Sequence, residues 1–170
     1  RLLLPSDFGT IGLLYVLISI STVLIEGGLS ASLIREKYVD SNDYNTVFIF
    51  NIFSALILYF IIYISAPSVE NFYDALGLSE IIRVYSLTLI ISSFGIVQRV
   101  ILIKALNFRK EAIINLPSII ISGIIGILLA YNGFGVWSLV WPPILRTFFN
   151  VIQLWIYSAW KPNFIFYKDK

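Results

Sequence analysis

The sequence predicts an all-α fold, a multi-pass transmembrane helical bundle, and three observations carry the prediction. Of 170 residues, 58% are hydrophobic and 13% charged, with mean hydropathy +0.87, whereas soluble domains keep apolar residues near half and charged ones near a quarter. Five apolar stretches, 8–34, 47–66, 81–103, 112–131 and 137–159, are each long enough to cross a bilayer. Basic residues alternate between the connecting loops. One side holds Arg35, Lys37, Lys104, Arg109, Lys110, Lys161, Lys168 and Lys170; the other holds only Arg1 and the interfacial Arg83, with Asp7, Glu70, Asp74 and Glu80. Lys and Arg in short loops are retained in the cytoplasm. The visible N-terminus is therefore expected outside and the C-terminus in the cytoplasm.

An external N-terminus without a signal peptide, in a chain that starts at Arg1 and contains no Met, raises the expectation of at least one further span upstream. Six spans with both ends in the cytoplasm would suit half of a transporter built from two repeats. Cysteine and histidine are absent, which removes disulfides and thiolate chemistry from this portion and leaves zinc and His-based acid–base sites without ligands. No metal or other cofactor is expected. A net charge of +2 is too modest to suggest nucleic-acid binding, and topology accounts for the basic loops.

Taken in order, Pro5-Ser6-Asp7 reads as an N-cap-like entry to the first span, and Asp40-Ser41-Asn42-Asp43 as the cap of the second. Pro67 is expected to end the second span. The loop 67–80 follows, with Phe72 and Tyr73 among acids, and is placed at headgroup level. Asn132-Gly133-Phe134-Gly135 reads as a tight external turn. Trp137 and Trp141 open the last span and Trp155 and Trp160 close it. At ~1.5 Å rise per residue, Trp137 and Trp155 stand roughly 27 Å apart, the spacing of two interfacial aromatic belts.

Polar residues inside the spans fall on single helical faces. The first span carries Tyr15, Ser19, Thr22, Glu26 and Ser30; the third Tyr85, Thr88, Ser92, Gly95 and Arg99; the fourth Asn115, Ser118, Ser122, Gly126 and Ala130; the fifth Arg146, Asn150, Gln153 and Tyr157. The second, with Asn51 and Ser54, is the least organised and is expected to face lipid more broadly. The stripe from Ser118 to Ala130 reads as close helix packing. Charges are harder to dismiss, because an ionised group deep in a membrane is costly unless it pairs or faces water.

Three such charges stand out: Glu26, Arg99 and Arg146. Glu26 is nine residues from Arg35 and Arg146 nine from Trp137, which places each roughly 13 Å deep, at a level where they could meet. Glu26 has two readings, an ion pair with an arginine or a protonatable coupling site. Arg99 lies only five residues from Lys104, and snorkelling to lipid phosphates competes with a cavity role. Arg146 shares its face with Asn150 and Gln153, which favours a water-filled cavity or anion site. Pro142 and Pro143 precede it, and two readings stand there as well: a kinked or broken outer half, or a helix that begins at Pro142.

Four segments in order resemble a known family. Leu3-Leu4-Pro5-Ser6-Asp7-Phe8-Gly9 is similar to its entry to the second helix, and Glu26-Gly27-Gly28-Leu29-Ser30-Ala31-Ser32-Leu33-Ile34 to an acidic-x-Gly-Leu-small-x-Leu-Ile ending. Lys104-Ala105-Leu106-Asn107-Phe108-Arg109-Lys110 resembles a basic-x-Leu-Asp/Asn-Phe-basic loop, and Gly133-Phe134-Gly135-Val136-Trp137-Ser138-Leu139-Val140 a Gly-x-Gly-Val-Trp-Ala-Leu-Val turn. The family is the polysaccharide transporter (O-antigen and exopolysaccharide flippase) family of the multidrug, oligosaccharidyl-lipid and polysaccharide exporter superfamily. Pro142-Pro143 departs from its pattern. The resemblance implies twelve or more helices in two pseudo-symmetric bundles around a central cavity, of which this chain covers helices two to six. It further implies movement of a polyprenyl-diphosphate-linked oligosaccharide between leaflets of a bacterial or archaeal cytoplasmic membrane by alternating access, alongside membrane lipids and polysaccharide polymerase or export machinery. Arginine in a wet cavity suits phosphate or acidic sugar.

Competing classes are a drug exporter of the same superfamily, a membrane glycan polymerase or ligase, and a structural subunit. A drug exporter favours an acidic cavity, whereas two of the three intramembrane charges are arginines. Polymerases and ligases carry larger external loops than 67–80.

Overall fold

The computed structural model describes residues 5–158 and 160–162; Arg1, Leu3, Leu4, Ala159, Lys168 and Lys170, which enter the expectations above, lie outside the described residues. Among the described residues the regular elements are helices: α1 (Pro5–Glu26), α2 (Leu29–Arg35), α3 (Ser41–Tyr73), α4 (Leu78–Tyr85), α5 (Leu87–Ser93), α6 (Ile96–Lys104), α7 (Phe108–Tyr131) and α8 (Trp137–Tyr157). The chain is an all-α, multi-pass membrane bundle. α3, α7 and α8 are long and apolar enough to cross a membrane singly, and two bent pairs bring the spans to five if each pair counts as one. The bends are 52° between α1 and α2 and 47° between α4–α5 and α6. At the first, Gly27 and Gly28 adopt φ +49° and +76°, a left-handed conformation that glycine reaches without a Cβ penalty.

Local chemistry explains most boundaries. The Asp40 carboxylate accepts from the Ser41 amide at 2.6 Å while Asp43 accepts from the Asp40 amide at 2.9 Å, a reciprocal cap for α3. Asn107 Oδ1 accepts from the Lys110 amide at 3.2 Å and caps α7. Just before it, Lys104 Nζ donates to the carbonyls of Leu33 at 3.2 Å and Glu36 at 2.7 Å, so α6 supplies the cation that satisfies the end of α2. α1 begins at Pro5, so Ser6 and Asp7 lie within its first turn rather than ahead of it.

Three expectations are corrected. Pro67 does not end its helix: α3 runs on to Tyr73, and only Asp74–Gly77 separate it from α4. A proline frees the carbonyl four residues earlier. Here that carbonyl belongs to Tyr63, and Arg83 Nε donates to it at 3.3 Å while the guanidinium lies 4.3 Å over the Tyr63 ring. The junction is closed by the Ser79 amide donating to Glu70 Oε2 at 2.8 Å. Likewise α8 neither breaks nor starts at Pro142-Pro143; it begins at Trp137 and continues through both. The third correction concerns α3, expected to face lipid more broadly than the other spans, whereas it is the most buried of the three helices that could cross singly. Its Phe48, Asn51, Ala55 and Ala66 are at most 1% exposed, and it packs on α1, α4, α5 and α6.

The core has three parts. Leu14, Ile25, Ala55, Ile82, Leu89 and Val140 belong to a cluster joining α1, α3, α4, α5 and α8. Leu33, Val47, Phe48, Val97 and Val100 join α2, α3 and α6; Leu102, Ile114 and Leu154 join α6, α7 and α8. Trp155 and Trp160, expected as an inner belt, have their rings 6.0 and 5.7 Å from that of Phe48, and Trp155 Nε1 donates to the Phe94 carbonyl at 2.9 Å. That bond satisfies a backbone acceptor at the α5–α6 bend. Gly126 allows α7 to approach α8 closely, since a Cβ there would stand 2.7 Å from Pro142 Cγ. The outer face of α7, including Leu116, Ile120, Ile124 and Ile127, stays exposed, as suits a helix surface solvated by lipid.

Candidate functional site

The polar faces of α6, α7 and α8 meet in one hydrogen-bonded relay. Arg99 Nη2 donates to Asn150 Oδ1 at 2.8 Å, and Asn150 Nδ2 donates to Asn115 Oδ1 at 2.6 Å. One turn along, Gln153 Nε2 donates to Ser118 Oγ at 2.8 Å, whose hydroxyl in turn donates to the Ile114 carbonyl at 3.0 Å. The pattern follows from spacing. Asn150 and Gln153 are three apart on α8, as are Asn115 and Ser118 on α7, so each pair occupies one face and the two faces oppose. The α5–α6 bend brings Arg99 onto this seam: a Cβ at Gly95 would lie 2.9 Å from Val151 and 3.2 Å from Leu154, so the bend region rests directly on α8.

Burial separates the members. Asn150 is 5% exposed and Ser118 fully buried, whereas Arg99 and Arg146 are exposed. The Arg99 guanidinium is thus held from the protein side by one neutral acceptor, and its other donors have no hydrogen-bond partner among the described residues. Arg146 lies one turn from Asn150 on α8 and makes no hydrogen bond or ion pair among the described residues. Chemically this is a half-buried polar seam edged by two cations. Its outward side can receive an anionic group through charge-assisted hydrogen bonds.

The other candidates fall elsewhere. Glu26 is exposed at the last position of α1, where the first bend begins, and pairs with neither arginine among the described residues. Equal depth does not bring Glu26 and Arg146 together, because α1 packs on α3, α4 and α5. Tyr15 and Tyr85, from the polar faces of the first and third spans, stack edge-on with centroids 6.1 Å apart. A cleft of about 480 Å³ lies apart from the seam, lined by Lys37, Tyr38, Asp40, Asp43, Tyr44 and Lys104 among others. Among the described residues no group of His, Cys, Asp or Glu is placed to hold a metal ion.

Sequence reasoning assigned Ser118 to packing alone, left Asn115 on a polar face without a role, and passed over Gln98, which is fully buried. The available signal for Gln98 was an amide beside Arg99 in an otherwise apolar segment.

Comparisons with known proteins bear on this geometry. A family model described as "Polysaccharide biosynthesis protein" matches residues 1–170. The chain is 25% identical over 166 residues to the succinoglycan biosynthesis transport protein ExoT of Rhizobium meliloti (strain 1021), covering 98% of this chain and 34% of that protein. It is 22% identical over 146 residues to the teichuronic acid biosynthesis protein TuaB of Bacillus subtilis (strain 168), covering 85% of this chain and 30% of that protein. The chain therefore spans about a third of the length of the curated relatives it matches. No solved structure matches it.

Proposed function

The chain belongs to the polysaccharide biosynthesis protein family, and from that premise we propose that it forms part of a flippase that moves a polyprenyl-diphosphate-linked oligosaccharide from the inner to the outer leaflet of the cytoplasmic membrane. The observation that carries the reading is the pair of arginines edging the α6–α7–α8 seam with no carboxylate bonded to either among the described residues. A diphosphate bearing sugars cannot enter hydrocarbon unaided. Arg146 offers it unpaired donors, and Arg99, anchored by Asn150, offers a pre-oriented second contact. The relatives' names support a polysaccharide cargo, one of them explicitly as a transport protein.

In this proposal the chain is the first bundle of a two-bundle, alternating-access transporter, lacking one helix upstream and the second bundle. Its basic loops face the cytoplasm, and polymerase or export machinery receives the product outside. It is a transporter rather than an enzyme. Glu26, at the first bend, is assigned the coupling role.

The test is translocation of a fluorescent lipid-linked oligosaccharide by the whole protein in liposomes. Arg146→Ala is expected to lower the initial rate at least ~10-fold, the effect of losing about 1.4 kcal/mol of charge-assisted contact, while Arg146→Lys retains part of it. Efflux of a cationic dye in place of lipid translocation would move the protein to the drug-exporter branch; an Arg146→Ala rate equal to the parent's would remove the anion site.

A further inference from the structure

Among the described residues, four side chains outside the seam carry buried polar atoms without hydrogen-bond partners: Ser30, Asn51, Gln98 and, at its indole nitrogen, Trp160. Ser30 is 9% exposed, and Asn51 and Gln98 are 0%. Ser30 Oγ and both polar atoms of Asn51 and Gln98 lack a partner. An unsatisfied buried polar group costs about 1–3 kcal/mol, and native interiors seldom leave one unpaired. Five such atoms, on three mutually packed helices α2, α3 and α6, call for a polar occupant.

Their level in the bundle defines its chemistry. Gly27 sits against the Phe50 ring, with a Cβ position 3.9 Å from its Cε1, and Asn51 is the next residue. The Phe94 and Phe48 rings are 6.2 Å apart. Ser30 follows the first bend and Gln98 the second by a few residues. Ser30 and Gln98 therefore lie just past the two breaks, and Asn51 is on the helix packed against both of their segments. At the breaks the C-terminal ends of α1 and of the α4–α5 segment bring partial negative charge, and interrupted spans supply backbone carbonyls suited to small cations. Three neutral oxygens, Ser30 Oγ, Asn51 Oδ1 and Gln98 Oε1, with no carboxylate among them, suit a monovalent ion better than a divalent one, which takes carboxylates. The two amide NH₂ groups can donate to carbonyls at the breaks or to the ion's own waters.

We propose that Ser30, Asn51 and Gln98 form a monovalent-cation site, completed by water, at the level of the two helix bends. The site does not depend on the identity of the transported lipid. Occupancy would stabilise both bends in their present geometry.

The experiment is thermal unfolding of the whole protein in detergent, in sodium, potassium and choline chloride at equal ionic strength, without lipid substrate, together with equilibrium dialysis of ²²Na⁺. The expected result is a midpoint several degrees higher in sodium or potassium than in choline, saturating with concentration. That shift should be lost in Asn51→Leu and Gln98→Leu and reduced in the milder Ser30→Ala. Should the leucine variants fail to fold, Ser30→Ala and the dialysis stoichiometry of the parent decide. Equal midpoints in all three salts, or a cation shift unchanged by these substitutions, would overturn the site. Because no transport is measured, failure here leaves the flippase reading untouched, and failure of the flippase reading leaves the cation site standing.

Discussion

Gly126→Ala is expected to destabilise the protein by about 1–3 kcal/mol, the cost of overpacking a filled interface, even though alanine is the better helix former. The added Cβ would lie 2.7 Å from Pro142 Cγ and 3.4 Å from the Ser138 carbonyl oxygen. Both belong to the stretch of α8 that proline already constrains, so neither neighbour yields easily. Gly123→Ala, three residues away on the same helix, meets nothing within 4 Å, and should be neutral or stabilising by a few tenths of a kcal/mol to about 1 kcal/mol. Thermal unfolding of the whole protein separates the two. Pairing Gly126→Ala with Pro142→Ala removes the colliding Cγ, and the double variant should recover about 1 kcal/mol or more relative to the sum of the single changes. Additive single effects would show that the glycine is not there for this contact.

That contact illustrates what a sequence can and cannot disclose here. The all-α membrane character was legible because hydropathy and loop charge are properties of consecutive residues. The caps at Asp40 and the turn after Tyr131 were legible for the same reason, since their partners lie within a few positions. Pro67 was misread because its remedy is not local: Arg83 reaches the Tyr63 carbonyl from twenty residues away. The reading in which the last helix starts at Pro142 failed because a proline in a lipid-embedded helix can serve as a packing surface, and its partner Gly126 sits on another helix. Glu26 and Arg146 were matched by depth, which helical rise supplies. Their separation depends on rotation and neighbour choice, which it does not supply. The polar faces of α7 and α8 were visible individually; which donor meets which acceptor required the register set by the 132–136 turn. The Ser30, Asn51 and Gln98 group was illegible altogether, since it spans three helices and only burial reveals it.

Asn150 is the residue on which the seam converges, and Asn150→Leu is expected to cost about 1–3 kcal/mol, chiefly because it leaves the half-buried Asn115 acceptor unsatisfied. Arg99 would lose the one acceptor that orients it, and Asn115 Oδ1 the amide that satisfies it. Asn150→Asp should be tolerated, since a carboxylate accepts from Arg99 and a flipped Asn115 amide can donate to it. The pairwise term is measured by a cycle with Arg99→Met, which keeps much of the stem while removing the guanidinium; a coupling of about 0.5–3 kcal/mol is expected for groups in direct contact. Translocation gives the second readout. If Asn150 acts by holding Arg99 toward the cargo, Asn150→Leu and Arg99→Met should slow lipid translocation to the same degree, and the double variant no further. A double variant that loses the two effects in full would mean that Asn150 and Arg99 serve separate ends, the former joining α7 to α8 and the latter anchoring α6 at the lipid phosphates.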